Sequence, residues 1–499
     1  MNHSDIKDNG TFVSVTLKSA SANNVVDNGD LTADRDVAQD DIRIQITKYF
    51  VAIVFVVSAL GMFFTDQPLN EAPVLIAMFC MLAVISYAGL FVLRNDSSGS
   101  LVFSLLCLYV WVAFPFKLML AINAPEALWI AKLLMDPKVI RNEIAGSFVT
   151  VFPALFFLLL GLIAFHKNRH RKNKYIITKI NHKIFISVIV SILCLRVFNQ
   201  IVLGIGLPSV TPPTLSIPYL SGVLDMLSRP VLLAMVNIYF YYVIRLNDRK
   251  KILLSFVFLL INVALGLRVG WKSELVLQGL LLIYYSFDVF PYLSKTSRKF
   301  MIVGTASVIV ITVMLYPLIN HYRNNLLHGK DFSQAVESAQ KKSEVQSESI
   351  SLSFLNRING ISEYYIAIKL GEGKEFGYDA LLDGSVMDLI KEKLYGADKD
   401  KAVTAFGTTY FSVVYLIGGG IFLIVFGFIV GWVIRWGLML LRYNVFKSEF
   451  TLQAYLPFFC ILWVKLLSSG GLVLLPMKEL FLVTICLVFV ERYGTTGKL

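Results

Sequence analysis

The sequence has little charge and lacks the short motifs that bind nucleotides. Charged side chains make up 16% of its 499 residues, whereas ordinary soluble proteins have about 25%. The patterns GxxxxGKS/T and HExxH do not occur, and no GxGxxG follows a predicted strand. Chemistry driven by ATP or NAD is therefore not indicated, and a reaction would have to draw its energy from its own substrate.

Cysteine is also scarce. The five cysteines all fall inside apolar stretches, where we interpret them as packing residues, so neither a disulfide nor a Cys-based metal site is predicted between those stretches. The acidic run DKD at 398–400 has the form of a metal-binding DxD, but it lies in a highly charged segment. We predict no metal and no cofactor.

Apolar residues, by contrast, make up 56% of the chain. They form blocks of roughly 17–25 residues, the length that crosses about 30 Å of hydrocarbon. This pattern predicts an all-α, polytopic integral membrane protein with about twelve transmembrane helices. The predicted spans lie near 49–65, 73–93, 101–122, 146–165, 183–205, 222–244, 252–267, 274–290, 300–319, 413–440, 450–467 and 477–490.

The blocks divide the chain into four parts. Residues 1–45 are polar and contain no apolar h-region, so we expect a disordered cytoplasmic tail there rather than a signal peptide. Residues 46–319 hold the first nine helices, 320–406 one large outer loop, and 407–499 the last three helices with a short cytoplasmic tail. Three consecutive glycines at 418–420 predict a short interfacial piece followed by one full span.

The basic residues predict the orientation of the helices. They crowd the loops at 166–174, 245–251 and 294–299, whereas 66–72 and 205–216 contain no Lys or Arg. The positive-inside rule then places the basic loops and both termini in the cytoplasm. We attribute the net charge of +12 to this bias and to contact with membrane lipids, and predict no nucleic-acid partner.

The same rule places the segment 267–273 and the loop 320–406 on the outer side. A structureless loop of that length is uncommon unless it is functional. Two of its stretches, 361–370 and 380–394, are amphipathic. We therefore predict that this extracytoplasmic (periplasmic) loop is helical and covers the outer face.

Polar side chains interrupt several spans, and ionisable groups at membrane depth are usually functional. Arg196, Asn199 and Gln200 are spaced to share one helix face. Asp225 and Arg229 are four residues apart, which allows either a self-contained ion pair or a functional site. Lys117 and Lys465 lie near predicted outer ends of spans, where we interpret them as lysines that reach out to the membrane surface.

Cations thus accumulate on the predicted outer side, and guanidinium groups bind phosphate with bidentate geometry. We predict that this set binds the pyrophosphate of an anionic lipid. A plain hairpin turn with Trp271 at the membrane interface explains the segment LRVGWKSE as well. The predicted pyrophosphate-binding residues are Arg196, Arg229, Arg268, Lys272, Arg323 and Arg357.

The sequence indicates a general base, the group that would accept a proton in a reaction at the outer face, less clearly than it indicates the cations. His321 directly precedes Tyr322 and Arg323 at the predicted exit from the membrane, and its ordinary pKa suits proton transfer near neutral pH. A hydrogen-bonding loop histidine is the simpler alternative. The other candidate catalytic residues are Glu363, Asp379 and Asp383.

Over roughly residues 45–490 the chain resembles the bacterial O-antigen polymerases, also called oligosaccharide repeat-unit polymerases. Such proteins have ten to fourteen spans, a large outer loop late in the sequence and a short Gly-Leu/Ser-Arg seam between two central spans. GLRVGWKSE at 266–274 matches that seam loosely, with Leu267 where Ser or Thr is commoner. FGTTYFSVVYLIGGG at 406–420 is similar to the aromatic and glycine-rich run that follows the family's loop.

The resemblance implies a metal-independent glycosyltransferase in the bacterial inner membrane. It would join undecaprenyl-pyrophosphate-linked oligosaccharides into O-antigen or a related surface polysaccharide, with a chain-length regulator as a protein partner. Trp271 would then lie at the interface or stack on a sugar. Two alternatives remain open. One is an O-antigen ligase, which shares the donor; the other is a flippase for lipid-linked oligosaccharides or another secondary transporter, although no internal repeat is evident.

Overall fold

The computed structural model describes nearly two thirds of the chain. The described residues are 29–64, 69, 71–124, 137–164, 181–205, 220–245, 249–269, 277–282, 284–285, 298–299, 301–303, 306–307, 310, 360–383, 385–395, 409–446, 448–468 and 474–493. Within these ranges every regular element is a helix, which confirms the predicted all-helical class.

The helices follow the predicted apolar blocks closely. The first seven are α1 (Gly29–Phe63), α2 (Ala72–Val92), α3 (Ser97–Asn123), α4 (Pro137–Ile163), α5 (His182–Ile201), α6 (Gly222–Arg245) and α7 (Arg249–Val269). The later ones are α8 (Ile361–Gly371), α9 (Ala380–Asp383), α10 (Ser385–Tyr395), α11 (Tyr410–Val445), α12 (Glu449–Leu467) and α13 (Leu474–Tyr493).

Nine helices in the described part of the chain are long and apolar enough to cross a membrane: α1 to α7, α11 and α12. The predicted spans 274–290 and 300–319 lie largely outside the described residues. The last predicted span coincides with α13, which carries charged residues near both ends and is not among the nine. A membrane-embedded helical protein is therefore supported, and the total of twelve spans stays a prediction.

The N-terminal tail is described only from residue 29. There α1 begins at Gly29, inside the segment for which the sequence predicts disorder, and residues 1–28 lie outside the described part.

α3 and α12 are the most enclosed of the nine apolar helices. Within an apolar stretch of 18 residues in each helix, the buried share is 67% in α3 and 72% in α12. It is 28% in α1, α5 and α11. The outward side chains of the less buried helices are apolar, as lipid contact requires.

In the part of the chain that the structure describes, three helices contain a π-helical turn, and two of these turns contain a proline. Pro115 lies in the turn Val112–Phe116 of α3, and Pro230 lies in the turn Leu227–Val231 of α6. Because proline has no N–H and crowds the preceding turn, one extra residue per turn relieves the clash. Both turns adjoin or contain charged residues, since Lys117 follows the first and Arg229 lies in the second.

α4 and α11 pack at unusually short range through glycines. A Cβ added at Gly427 would lie 2.4 Å from the carbonyl oxygen of Ala154, and one at Gly431 would lie 2.1 Å from that of Leu158. The contacts advance by four residues in both helices, so the two helices run parallel. Their N-terminal ends therefore share one side of the membrane, as the predicted topology requires.

A glycine also breaks α11, as the run at 418–420 predicts. Gly419 has φ 69° and ψ −166°, so the helical piece that begins at Tyr410 ends there and a second piece continues to Leu440. An L-residue with a side chain rarely adopts this φ.

The opposite end of α11 is joined to the start of α3 by buried charges. Asp96 caps α3 by accepting a hydrogen bond from the backbone N–H of Gly99 (3.1 Å). The same carboxylate accepts hydrogen bonds from Arg435 (2.7 Å) and Arg442 (3.0 Å). A Cβ at Gly99 would lie 2.3 Å from Nη1 of Arg435, so glycine leaves room for the guanidinium.

We predict that Gly431→Ala destabilises the protein by roughly 1–3 kcal/mol, because the added methyl overpacks a backbone contact. The measurement is the thermal midpoint of the detergent-purified protein. Gly420→Ala in the same helix is the matched control, since nothing lies within 4 Å of its added Cβ. Equal midpoints for the two variants would contradict the close packing of α4 and α11.

A second prediction concerns the pH dependence of the Asp96 cluster. Burial by itself raises the pKa of Asp96, but Arg435 and Arg442 with their hydrogen bonds outweigh it and hold the pKa below the ordinary 3.8. The resulting stabilisation is present above pH 3.8 and is lost as the pH falls through the folded-state pKa. The thermal midpoint of the wild type should therefore exceed that of Asp96→Asn from pH 7 to pH 5, and the difference between the two midpoints should shrink towards pH 3. A difference that widens on acidification would contradict this assignment.

Candidate functional site

A chain of buried polar side chains crosses the interior between α5, α6 and α7. Arg196 of α5 is fully buried, and its Nη1 donates to Oδ1 of Asn262 in α7 (2.6 Å). The Asn262 amide donates to Oε1 of Gln278 (3.4 Å). Gln278 and Asn237 of α6 then exchange two hydrogen bonds, of 2.7 and 3.0 Å. Four side chains that are distant in sequence therefore form one network.

The network offsets the free-energy cost of burying polar groups. A charge or an amide that is buried without a partner costs several kcal/mol in hydrocarbon. The amides give Arg196 a polar environment that lipid cannot supply, and they fix the relative positions of three helices.

The end of α5 adds a second polar layer. Arg196, Asn199 and Gln200 are all buried, which confirms their predicted shared face. Asn199 donates to the carbonyl oxygen of Leu224 (3.0 Å) and to Oγ of Ser228 (3.1 Å).

Gln200 reaches the third helix by donating to the carbonyl oxygen of Leu265 (3.5 Å). The end of α5, the start of α6 and the end of α7 therefore meet at one place. Among the described residues, Oδ1 of Asn199 and Oε1 of Gln200 are buried acceptors that receive no hydrogen bond.

Two further predicted cations lie at this meeting point. Arg229 forms an ion pair with Asp225 one turn earlier in α6, and the two side chains are 16% and 22% exposed. The ion pair that the spacing allows is therefore present, and a functional role of Arg229 stays a prediction. Arg268 occupies the last turn of α7 and is partly exposed, where the helix dipole favours a cation.

Five other predicted site residues are not placed by the structure. His321, Arg323, Arg357, Lys272 and Trp271 lie outside the described residues, as does the DKD run at 398–400.

Of the predicted acids after α8, Asp383 is the last residue of α9, but its side chain is not among those described. Asp379 directly precedes α9 and is exposed. The predicted gathering of outer cations around a base therefore stays a prediction.

Glu363 lies in an environment that its sequence neighbours do not reveal. Both of its carboxylate oxygens accept hydrogen bonds from Nζ of Lys117 in α3, at 2.7 and 2.8 Å. Both side chains are 1% exposed. The carboxylate also accepts from the backbone N–H of Gly360 and from the hydroxyl of Ser362. To act as a general base, Glu363 would first have to leave this pair.

The interpretation of Lys117 is therefore wrong, because its amine does not reach the membrane surface but is buried in an ion pair. Lys465 is different: it is 44% exposed and pairs with Glu479 of α13 (2.6 Å). The sequence analysis missed the buried pairing of Lys117 and the network amides Asn237, Asn262 and Gln278. The available signal for the network was the presence of isolated amides inside three apolar runs.

Within the described part of the chain, no group of three or more His, Cys, Asp or Glu side chains lies close enough together to hold a metal ion. No family model, curated protein or solved structure matches this chain. The candidate site therefore rests on its own geometry.

We predict that the Asn237–Gln278 pair is energetically coupled. Asn237→Leu or Gln278→Met alone leaves a buried amide with unmade hydrogen bonds, and should lower the free energy of unfolding by about 1–2 kcal/mol. The double variant should be destabilised by less than the sum of the two single changes. The measurement is a thermal or denaturant melt of the purified protein. Strict additivity would show that the two amides do not stabilise one another.

Proposed function

We propose that the protein is a membrane glycosyltransferase that joins oligosaccharide repeat units carried on a polyprenyl pyrophosphate. One observation supports this most: Arg196, Arg229 and Arg268 come from three helices whose ends meet at one side of the membrane helices. Several guanidinium groups at such a place suit a lipid-linked phosphate better than they suit lipid tails.

The reaction needs no external energy source. The bond between the anomeric carbon of the growing chain and its pyrophosphate breaks, and the electron pair stays with the departing pyrophosphate oxygen. A hydroxyl oxygen of the acceptor repeat unit forms the new glycosidic bond, and its proton passes to a base. The protein must hold two lipids in register and stabilise the charge that develops on the leaving group.

Burial divides the roles of the three arginines. Arg229 and Arg268 are partly exposed and are the proposed direct contacts to pyrophosphate. Arg196 is fully buried, so it would act from beneath by holding a positive potential at the site.

For the base, we retain His321 as the first proposal, because Glu363 is held by Lys117. Asp379 and Asp383 are the alternatives. Lys272, Arg323 and Arg357 are proposed as further contacts to pyrophosphate, and Trp271 as the residue that stacks on sugar.

A transporter of lipid-linked oligosaccharide is the second candidate, and one observation favours it. α11 is interrupted at Gly419 and α8 is a short helix packed among longer ones, and broken helices are common at transporter binding sites. A ligase that shares the donor differs only in its acceptor.

The test is a surface-polysaccharide gel of a strain that lacks this gene and is complemented with variants. Arg268→Ala should reduce polymer at least tenfold at equal membrane levels, since one lost contact to developing charge costs about 10²–10³ in rate. Lys250→Ala, an exposed change at the other end of α7, is the matched control and should restore the ladder.

The deletion strain separates the candidates. A polymerase predicts single repeat units on lipid A core without the ladder. Polymer that stays on its carrier would favour the ligase, and the absence of any repeat unit outside would favour the transporter. A full ladder with Arg268→Ala would contradict the proposed role of that residue.

A further inference from the structure

α8 lies among the membrane helices rather than above them. Every residue from Gly360 to Ala367 is buried, and a Cβ added at Gly360 would lie 1.9 Å from the carbonyl oxygen of Ala113. Ala113 is ten residues before Asn123, where α3 ends. At 1.5 Å per residue this places Gly360 about 15 Å inside the end of α3, well within this helix of 27 residues.

α4 gives an independent measure of the same depth. The hydroxyl groups of Tyr364 and Thr150 are 3.1 Å apart, and Thr150 is nine residues beyond Arg141, where the apolar span of α4 begins. At the other end of α8, Lys369 donates to Glu143 (2.6 Å), only two residues from Arg141. α8 therefore runs outward from the interior, with its N-terminus innermost.

The first piece of α11 encloses α8 on a third side. The rings of Tyr364 and Tyr415 are 6.2 Å apart, and a Cβ at Gly371 would lie 2.7 Å from the side chain of Leu416. This piece ends at Gly419. α8 is thus surrounded by α3, α4 and a helical piece with a glycine break behind it.

We propose that α8 is a re-entrant helix that closes the space between α3, α4 and α11, and that the ion pair of Lys117 with Glu363 is its latch. Glu363 belongs to α8 and also accepts from Gly360 at the start of that helix (2.8 Å), so it moves with the helix. Lys117 belongs to α3 and stays in place. The pair is therefore the charged attachment between the inserted helix and its frame.

The second attachment is weaker. Glu143 pairs with Lys369 and accepts from Tyr365, but Lys369 and Glu143 are 39% and 40% exposed. Water screens an exposed pair, so losing it costs little stability. Removing one partner of a buried pair destabilises the protein strongly, because a charge is left buried alone. Gly373, two residues beyond α8, has φ 76°, a conformation that glycine adopts readily, and the chain turns there as it leaves the helix. The inference does not depend on the proposed enzymatic function.

Cysteine accessibility tests the insertion. Ser362→Cys and Glu375→Cys are made in the full-length chain with its five native cysteines changed to alanine. The membranes are permeabilised so that a membrane-impermeant maleimide reaches both faces. The reaction rates then do not depend on the orientation of the protein in the membrane. Ser362→Cys, buried in α8, should react at least tenfold more slowly than the exposed Glu375→Cys. Rates within twofold of each other would overturn the re-entrant placement.

The latch is tested by adding Lys117→Met to the Ser362→Cys protein. Reaction of Ser362→Cys should become at least tenfold faster. Glu363→Gln is a second variant that changes shape little and should also increase the rate, which keeps the test decisive if Lys117→Met does not accumulate. Unchanged protection in a folded Lys117→Met or Glu363→Gln protein would overturn the latch.

Discussion

The structure depends on one constraint: a charge inside the apolar framework must bring its own polar partners, because lipid offers none. The described part of the chain meets this constraint in three ways. Asp225 and Arg229 pair within one helix, Lys117 pairs across the fold with Glu363, and Arg196 is set into amides from neighbouring helices. The two solutions that cross between helices, Lys117 with Glu363 and Arg196 with its amides, fix those helices relative to one another. Polar groups that are unfavourable individually therefore help to determine the arrangement of the bundle.

The two ends of α3 show how this constraint divides stability from function. At its start, Asp96 is held by two arginines of α11, which is a fixed joint between two long helices. Near the other end of α3, beyond the π-helical turn, Lys117 pairs with Glu363 of α8, a short helix of 11 residues. The same kind of interaction therefore serves as a permanent joint at one end and as the proposed latch at the other, and the difference lies in what each carboxylate is attached to.

Local patterns in the sequence predicted much of this fold. Apolar runs gave the positions of the spanning helices, spacings of three and four gave the buried face of Arg196, Asn199 and Gln200, and three glycines gave the break in α11. The Lys117–Glu363 pair was not predictable in this way, because its partners are 246 residues apart in sequence and either residue alone has an ordinary surface interpretation. Asn237, Asn262 and Gln278 likewise acquire meaning only when separate helices bring them together.

The central claim is that the cations at the meeting point of α5, α6 and α7 serve glycosyl transfer from a lipid pyrophosphate. The most direct measurement uses the purified full-length protein in liposomes, with a polyprenyl-pyrophosphate-linked repeat unit as the sole glycan and mass spectrometry of the products. The account predicts chains of two or more units and one polyprenyl pyrophosphate released for each new bond. Repeat units recovered unchanged, or carried across the bilayer without elongation, would contradict it.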